Sequence, residues 1–302
     1  MRIVKALIIF FFVQSNLYAD YLEVTLLGTG TPRPSIERIG AATLVSVGGQ
    51  NLRFDVGRGA TIRLQQAGLT PNMIDKVFLT HLHSDHISGL DDLWITGWVW
   101  QRQSILNVNG PAGTHQLVEG LRQAYASDIS YREKNVNLDT DLARIKSNEI
   151  NEGIVYQENG VTVRAFLVEH APVEPAFGYR VEFGDRSVVI SGDTTYSENL
   201  IEHSQKADLL IHEITAAESS LLKRNKRLSK IVAYHTTPSQ MSDILNKTKP
   251  RLTVLNHILL FGVSENNVIE EIKSDYTGDV VMGYDLMKIG VGETIRFNDI
   301  SQ

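Results

Sequence analysis

His81-Leu82-His83-Ser84-Asp85-His86 places three imidazoles and a carboxylate within six consecutive positions. His81 and His83 stand two apart, so an extended backbone turns both rings to one side. Asp85 and His86 follow at once, and the run comes directly after Lys76 to Leu79, which reads as a short apolar strand. A lone histidine is ordinarily a surface or hydrogen-bonded residue. Three of them with an aspartate at a strand end read as donors to a divalent cation. Imidazole nitrogen and carboxylate oxygen suit zinc, and a catalytic zinc site keeps one position open for water.

Outward from this run, strand and turn signals alternate. Leu22 to Leu27 reads as a strand, followed by the turn-forming Gly28-Thr29-Gly30-Thr31-Pro32. Ala42 to Val47 and Asn51 to Val56 form two strands across Gly48-Gly49, a hairpin signal. Ala60 to Ala67 reads as a short helix closed by Gly68, and helical material dominates residues 112–127. Val161 to Val168, Gly178 to Phe183 and Ser187 to Ile190 return to strand. Leu209 to Ile211 and Thr253 to Asn256 are brief apolar strands, each ending beside a histidine. Between them Thr237 caps a helix with Pro238 in its first turn, running to about Asn246. Two sets of strands separated by helices, with no long linker or repeat, predict an α/β fold of two sheets between helices in one domain.

The later strand ends carry further donors. His170 closes the strand from Val161, Asp193 follows Ser187 to Ile190 in Ser191-Gly192-Asp193-Thr194, and His257 follows Thr253 to Asn256. With the hexad, these resemble the His-X-His-X-Asp-His signature and strand order of the metallo-β-lactamase superfamily. The resemblance implies that superfamily's αββα four-layer sandwich and two zinc ions per chain. His81, His83 and His170 would bind one ion, Asp85, His86 and His257 the second, and Asp193 would bridge them. Absence of cysteine rules out relatives whose second site uses a thiolate.

Within the superfamily the chain resembles the ribonuclease Z-like branch, which includes arylsulfatase-like members. Leu27-Gly28-Thr29-Gly30, Phe54-Asp55-Val56-Gly57, Gly178-Tyr179-Arg180, Ile211-His212-Glu213-Ile214-Thr215, His235-Thr236-Thr237-Pro238 and Gly283-Tyr284-Asp285-Leu286-Met287 carry that likeness. Two features depart from it. His170 and Asp193 are only 23 positions apart, too few for the long arm with which tRNA-processing members grip tRNA. After His257 comes Ile258-Leu259-Leu260-Phe261, where those enzymes carry a polar, arginine-containing run.

The first nineteen residues form a separate segment. Arg2 and Lys5 precede an uninterrupted apolar run, Ala6 to Val13, and Leu17-Tyr18-Ala19 ends on a small residue. That is the pattern of a cleaved secretory signal, with residues 20–302 as the mature, periplasmic or secreted chain. The run is too short to cross a hydrocarbon core, which needs about 20 residues, so no stable membrane anchor is expected. Removing residues 1–19 takes the net charge from −6 to −8, with 27 basic against 35 acidic residues. Such a balance disfavours broad contact with nucleic-acid phosphates without excluding a local basic patch. Nothing in the sequence speaks against a homodimer.

Hydrolysis of a phosphodiester, sulfate ester or similar small anionic ester outside the cytoplasm is therefore the leading expectation. Water activated between two zinc ions is the expected nucleophile. Asp85 and Asp193 would steer that water, while Glu213 and His235 are candidates for an outer proton donor, since a carboxylate can hold an imidazole protonated. The alternatives are ribonuclease Z-type processing of tRNA 3′ ends, β-lactam or lactone hydrolysis, and a non-catalytic zinc-binding module. Trp94, Trp98 and Trp100 are read either as pocket walls or as core. His115 and His203 are read as surface residues, His212 as structural, and Arg33 and Arg38 as a solvated loop or an anion clamp.

Overall fold

A computed structural model describes residues 22–136 and 138–298; the expected signal segment and its cleavage position lie outside them. The strands are β1 Leu22–Gly28, β2 Ala42–Val47, β3 Gln50–Phe54, β4 Lys76–Phe78, β5 Leu106–Gly110, β6 Ile145–Glu149, β7 Gly153–Glu158, β8 Val161–Leu167, β9 Phe177–Phe183, β10 Arg186–Ile190, β11 Leu209–Ala217, β12 Leu252–Phe261, β13 Val280–Met282, β14 Met287–Val291 and β15 Ile295–Phe297. They form one sheet in the order β15-β14-β1-β2-β3-β4-β5-β6 and a second in the order β13-β12-β11-β10-β9-β8-β7.

The two sheets face each other across a core that includes Val24, Leu26, Phe54, Phe78, Val163, Tyr179, Val188 and Ile211. Alternation on β1, β2 and β8 supplies the inward residues, because every second side chain of a strand points to the same face. The opposite faces are covered by helices. Leu64, Leu93, Trp94 and Val118 pack on the first sheet, and Leu200, Met241, Ile244, Leu245, Val268 and Ile272 on the second. Helix, sheet, sheet, helix is the four-layer sandwich expected from the strand pattern, in one domain. Trp94 and Trp98 are buried in the helical layer, with their indole N–H groups donating to Ala143 O and Asp139 O at 2.8 Å. Each is a core residue, and truncation to alanine would cost on the order of 3–5 kcal/mol.

In both sheets the parallel strands, β3 to β6 and β10 to β13, send their C-terminal ends to the same side of the sandwich. Tyr179 of β9 ties the sheets together there, its hydroxyl donating to Leu79 O at 2.6 Å, immediately before the histidine run.

Three expectations change. The strands beside His212 and His257 are not brief: β11 has nine residues and β12 ten. His257 does not follow its strand but interrupts it. Asn256 pairs with Glu213 and Ile258 with Ile214, so His257 is the extra residue of a β-bulge, with φ of +40°. The helical stretch at 112–127 is two helices, Thr114–Ala124 and Ala126–Val136. The helix expected at Thr237 is found as Pro238–Thr248, with a capping box between Thr237 and Gln240.

Candidate metal centre

Each donor is positioned by a local backbone device. His81 and His83 lie on the extended segment after β4, and a single helical turn, Ser84–Ile87, then carries Asp85 and His86. Gly57 permits this turn to sit against the loop after β3, since a Cβ there would lie 2.3 Å from Asp85 O. Gly192, with φ of +62°, presents Asp193, and a Cβ there would lie 2.6 Å from Phe177 O. His170 arrives from the end of β8 and His257 from the bulge in β12.

The structure brings all seven together in two groups. Ligand atoms of His81, His83, His170 and Asp193 lie within 4.8 Å of one another, as do those of Asp85, His86 and His257. Asp193 Oδ2 stands 3.8 Å from His81 Nε2, 3.9 Å from His170 Nε2 and 3.4 Å from His86 Nε2, so one oxygen faces both groups. In the second group His257 Nε2 is 3.1 Å and His86 Nε2 3.7 Å from Asp85 Oδ2.

Outer hydrogen bonds choose the tautomers. His86 Nδ1 donates to Asp55 Oδ2 at 2.8 Å. Thr80 Oγ1 donates to the same oxygen at 2.9 Å and so is left to accept from His81 Nδ1 at 3.0 Å. His170 Nδ1 donates to Tyr234 O at 3.1 Å. Each arrangement leaves an Nε2 lone pair aimed into the cluster, which is how protein metal sites orient imidazole. Sequence reading missed Asp55 and Thr80 as functional residues. Asp55 stands in the quoted Phe54-Asp55-Val56-Gly57, and only the fold reveals its left-handed φ of +56° and its place behind the cluster.

These residues fit a divalent cation. His86 Nε2, Asp193 Oδ1 and His257 Nδ1 are buried without a hydrogen-bond partner. Each such orphan costs about 1–3 kcal/mol, which a shared cation would offset. Burial holds His81 well below the usual histidine value and His170 at about 4, so their lone pairs stay free at neutral pH. Burial also opposes charge on His86, but Asp193 and Asp55 outweigh it and hold this ring well above its usual value. The carboxylates thus demand positive charge at this corner of the cluster, the charge a cation would bring.

Glu213 and His235 lie beside the cluster. His235 Nδ1 donates to Glu213 Oε1 at 2.9 Å, and the backbone N–H groups of Thr236 and Thr194 reach the same oxygen at 3.1 and 3.2 Å. Burial pulls His235 down, yet the Glu213 charge and hydrogen bond prevail and push its pKa up to about 9. Its Nε2 is left facing the cleft. His212 points away, its Nδ1 donating to Glu213 O at 2.8 Å, and it is structural as expected.

The cluster floors a cleft of about 770 Å³, walled by the loop from Gly30 to Arg38, by Ile258 to Phe261, and by Arg227, Ile231 and Tyr234. Asp285 anchors the loop, accepting from Thr29 N at 2.9 Å and Ile39 N at 2.9 Å. Arg38 pairs with Glu265 at 2.6 Å and donates to Gly283 O at 2.7 Å, so it is a strut and not a free anion clamp. None of the three tryptophans lines the cleft. His115 is exposed as expected, whereas His203 is half-buried and stacks on Phe166 at 4.6 Å.

A beta-lactamase superfamily domain model matches residues 54–258. Ribonuclease Z of Mycobacterium sp. strain KMS is 37% identical over 240 residues, covering 79% of this chain and 84% of that protein. Ribonuclease Z of Mycobacterium bovis BCG Pasteur is 33% identical over 275 residues, covering 89% and 98%. The chain belongs to the ribonuclease Z family of the metallo-β-lactamase superfamily. Among solved structures, the short form of human tRNase Z shares the fold with a TM-score of 0.66 at 24% identity, covering 89% of this chain and 99% of that one. The Bacillus subtilis metallo-β-lactamase fold protein YhfI does so at 0.70 and 20%, covering 90% and 100%.

As a ribonuclease Z family member the chain is a metal-dependent hydrolase. The expectation of a secreted hydrolase for small anionic esters, arylsulfatase-like or phosphodiesterase, is corrected here. It rested on the short His170-to-Asp193 interval, the apolar run after His257, the signal-like first nineteen residues and the acidic net charge. None of these prevents the chain from matching ribonuclease Z proteins over most of their length.

Proposed function

We propose that this chain is a ribonuclease Z-type endoribonuclease that cuts a phosphodiester bond at the 3′ side of precursor tRNA, with two zinc ions per chain. The observation that carries the reading is Asp193 Oδ2 facing both donor groups at 3.4–3.9 Å on the floor of an open cleft. The ribonuclease Z relatives point to RNA as the substrate, and the tRNase Z neighbour in structure to tRNA.

His81, His83, His170 and Asp193 would hold one ion, and Asp85, His86 and His257, sharing Asp193, the other. Zinc bound there supplies Lewis acidity toward a phosphoryl oxygen and lowers the pKa of water. Asp85, at the cleft surface, orients the attacking water. The Glu213 carboxylate favours the protonated His235 ring, and its Nε2–H is the proton source for the departing ribose oxygen. Glu213 fixes that ring through Nδ1 and keeps it charged. The apolar run Ile258 to Phe261 walls the reacting phosphate from bulk water on one side.

The test is cleavage of a precursor tRNA by purified, zinc-loaded protein, with elemental analysis alongside. Close to two zinc ions per chain and a single 3′ cut are expected, and His257→Ala should lower the metal content toward one. Intact protein that takes up two ions and leaves precursor tRNA uncut would overturn the substrate assignment. One ion or none would overturn the dinuclear centre. The cleavage assay is indifferent to the export expected from residues 1–19, which bears on where RNA is met and not on the chemistry.

A further inference from the structure

After β11 the chain runs through two short helices, Ser219–Arg224 and Lys226–Ala233, of which only Leu228 is buried. Between Glu218 and Asp243 it carries Lys223, Arg224, Lys226, Arg227 and Lys230 and no acidic residue. All five cations are exposed, and none forms an ion pair among the described residues. Lys226 and Lys230 stand four apart, and Arg227 and Lys230 three apart. Like charges at these helical spacings are destabilising by about 0.2–0.5 kcal/mol per pair. Folding gives no reason for this accumulation in a chain whose net charge is −6.

Position supplies one. Arg227, Ile231 and Tyr234 face the cleft, so the second helix is both the carrier of the cations and one wall above the metal cluster. The exposed Arg33 side chain also lines the cleft and makes no hydrogen bond or ion pair among the described residues. A cationic rim thus leads to the cleft, where Arg33 adds a further guanidinium. The arm expected of tRNA-processing relatives has no room between His170 and Asp193, and the rim stands where a polyanion entering the cleft would pass.

We propose that the 219–233 segment is the track for the sugar-phosphate backbone of the RNA substrate, with Lys223, Arg224, Lys226 and Lys230 holding phosphates outside the cleft and Arg227 at its mouth. This rests on the ribonuclease reading of the cluster. Phosphate contacts of this kind release counterions and set affinity and salt dependence, while the cut itself is made on the cleft floor.

The test uses the zinc-loaded full chain with Lys223, Lys226 and Lys230 each changed to Gln. Gln is close to Lys in helix propensity, so circular dichroism and zinc content should match the wild type. With precursor tRNA, KM should rise on the order of 10- to 100-fold near 0.15 M salt while kcat is kept. The slope of log affinity against log salt should become shallower by about 0.7–0.9 per lost contact. Unchanged KM and salt slope with tRNA cleavage intact would overturn the track and leave the ribonuclease reading standing. Patch-dependent RNA binding without any cleavage would support the track and remove that reading. Binding to vesicles of anionic phospholipid that depends on the three lysines, with no effect on RNA, would also overturn it.

Discussion

The floor of the cleft and its rim are built on opposite terms. On the floor, His81, His86 and His170 each spend one ring nitrogen on a fixed partner and keep the other for the cluster. The donor atoms are buried, and the direction of each ring depends on its outer hydrogen bond. At the rim, the loop from Gly30 to Arg38 is pinned through Asp285 and Arg38, and the 219–233 helices anchor a single leucine. Chemistry there is carried by charge at a distance, which tolerates movement. The difference teaches that reaction type is written in geometry and substrate size in surface charge, and that the two must be read separately.

The sharpest way to break this contrast is at His235, which lies between the two regions. His235→Ala should keep both metals and lose on the order of 10²–10⁴ in turnover on RNA. The loss should shrink for a p-nitrophenyl diester, whose leaving group departs without a proton. An equal loss on both substrates, with zinc retained, would place the residue in the scaffold instead. In chelated protein the same pair has a pH signature. The folded pKa of about 9 lies above the ordinary 6.5, so its contribution to stability is complete below about 6.5 and disappears as pH rises through 9. Urea midpoints of metal-free protein should fall across that window, and Glu213→Gln should flatten the fall.

Next in size is Asp55→Asn, which removes the charge behind His86 and Thr80 without touching the cluster. Zinc affinity or activity should drop about 10- to 100-fold, read by competition with a chelator; retention of full affinity would mean the floor does not depend on its supports. Smallest is Arg38→Ala at the rim. Its pair with Glu265 is part-exposed, and such pairs contribute about 0–1 kcal/mol. Thermal unfolding should therefore move by only a few degrees, with zinc content unchanged. A loss of metal would show that rim and floor are one unit.

The floor was legible in the sequence because coordination chemistry restricts residue types: His81, His83, Asp85, His86, His170, Asp193 and His257 were named through a family resemblance in which donors recur in a fixed order, and the fold brings them together. The sandwich was legible for a related reason, since β1, β2, β8 and β10 alternate or run apolar to a length typical of strands. Long-range supports were not. Asp55 and Asp285 are ordinary acidic residues until the fold sets them against Thr80, His86, Thr29 and Ile39. Trp94 and Trp98 could be core or wall on size alone, and burial decided for core. The substrate class was misread because net charge averages over the surface. A chain at −6 can still gather five cations in eight positions, Lys223 to Lys230.

His257 sits at a bulge with the β11–β12 ladder continuing on both sides, from Leu209–Leu252 to Ala217–Phe261. A donor at the frayed end of a strand could swing out in a local fluctuation; one flanked by paired residues in both directions has no such low-energy opening. Its release is tied to separation of the two strands, both of which are interior to the second sheet. Strand amides of β12 that pair with β11 beyond the bulge should accordingly exchange with solvent only through opening of that sheet. A bound ion would leave on the same slow clock, long after the loops around the cleft have moved many times.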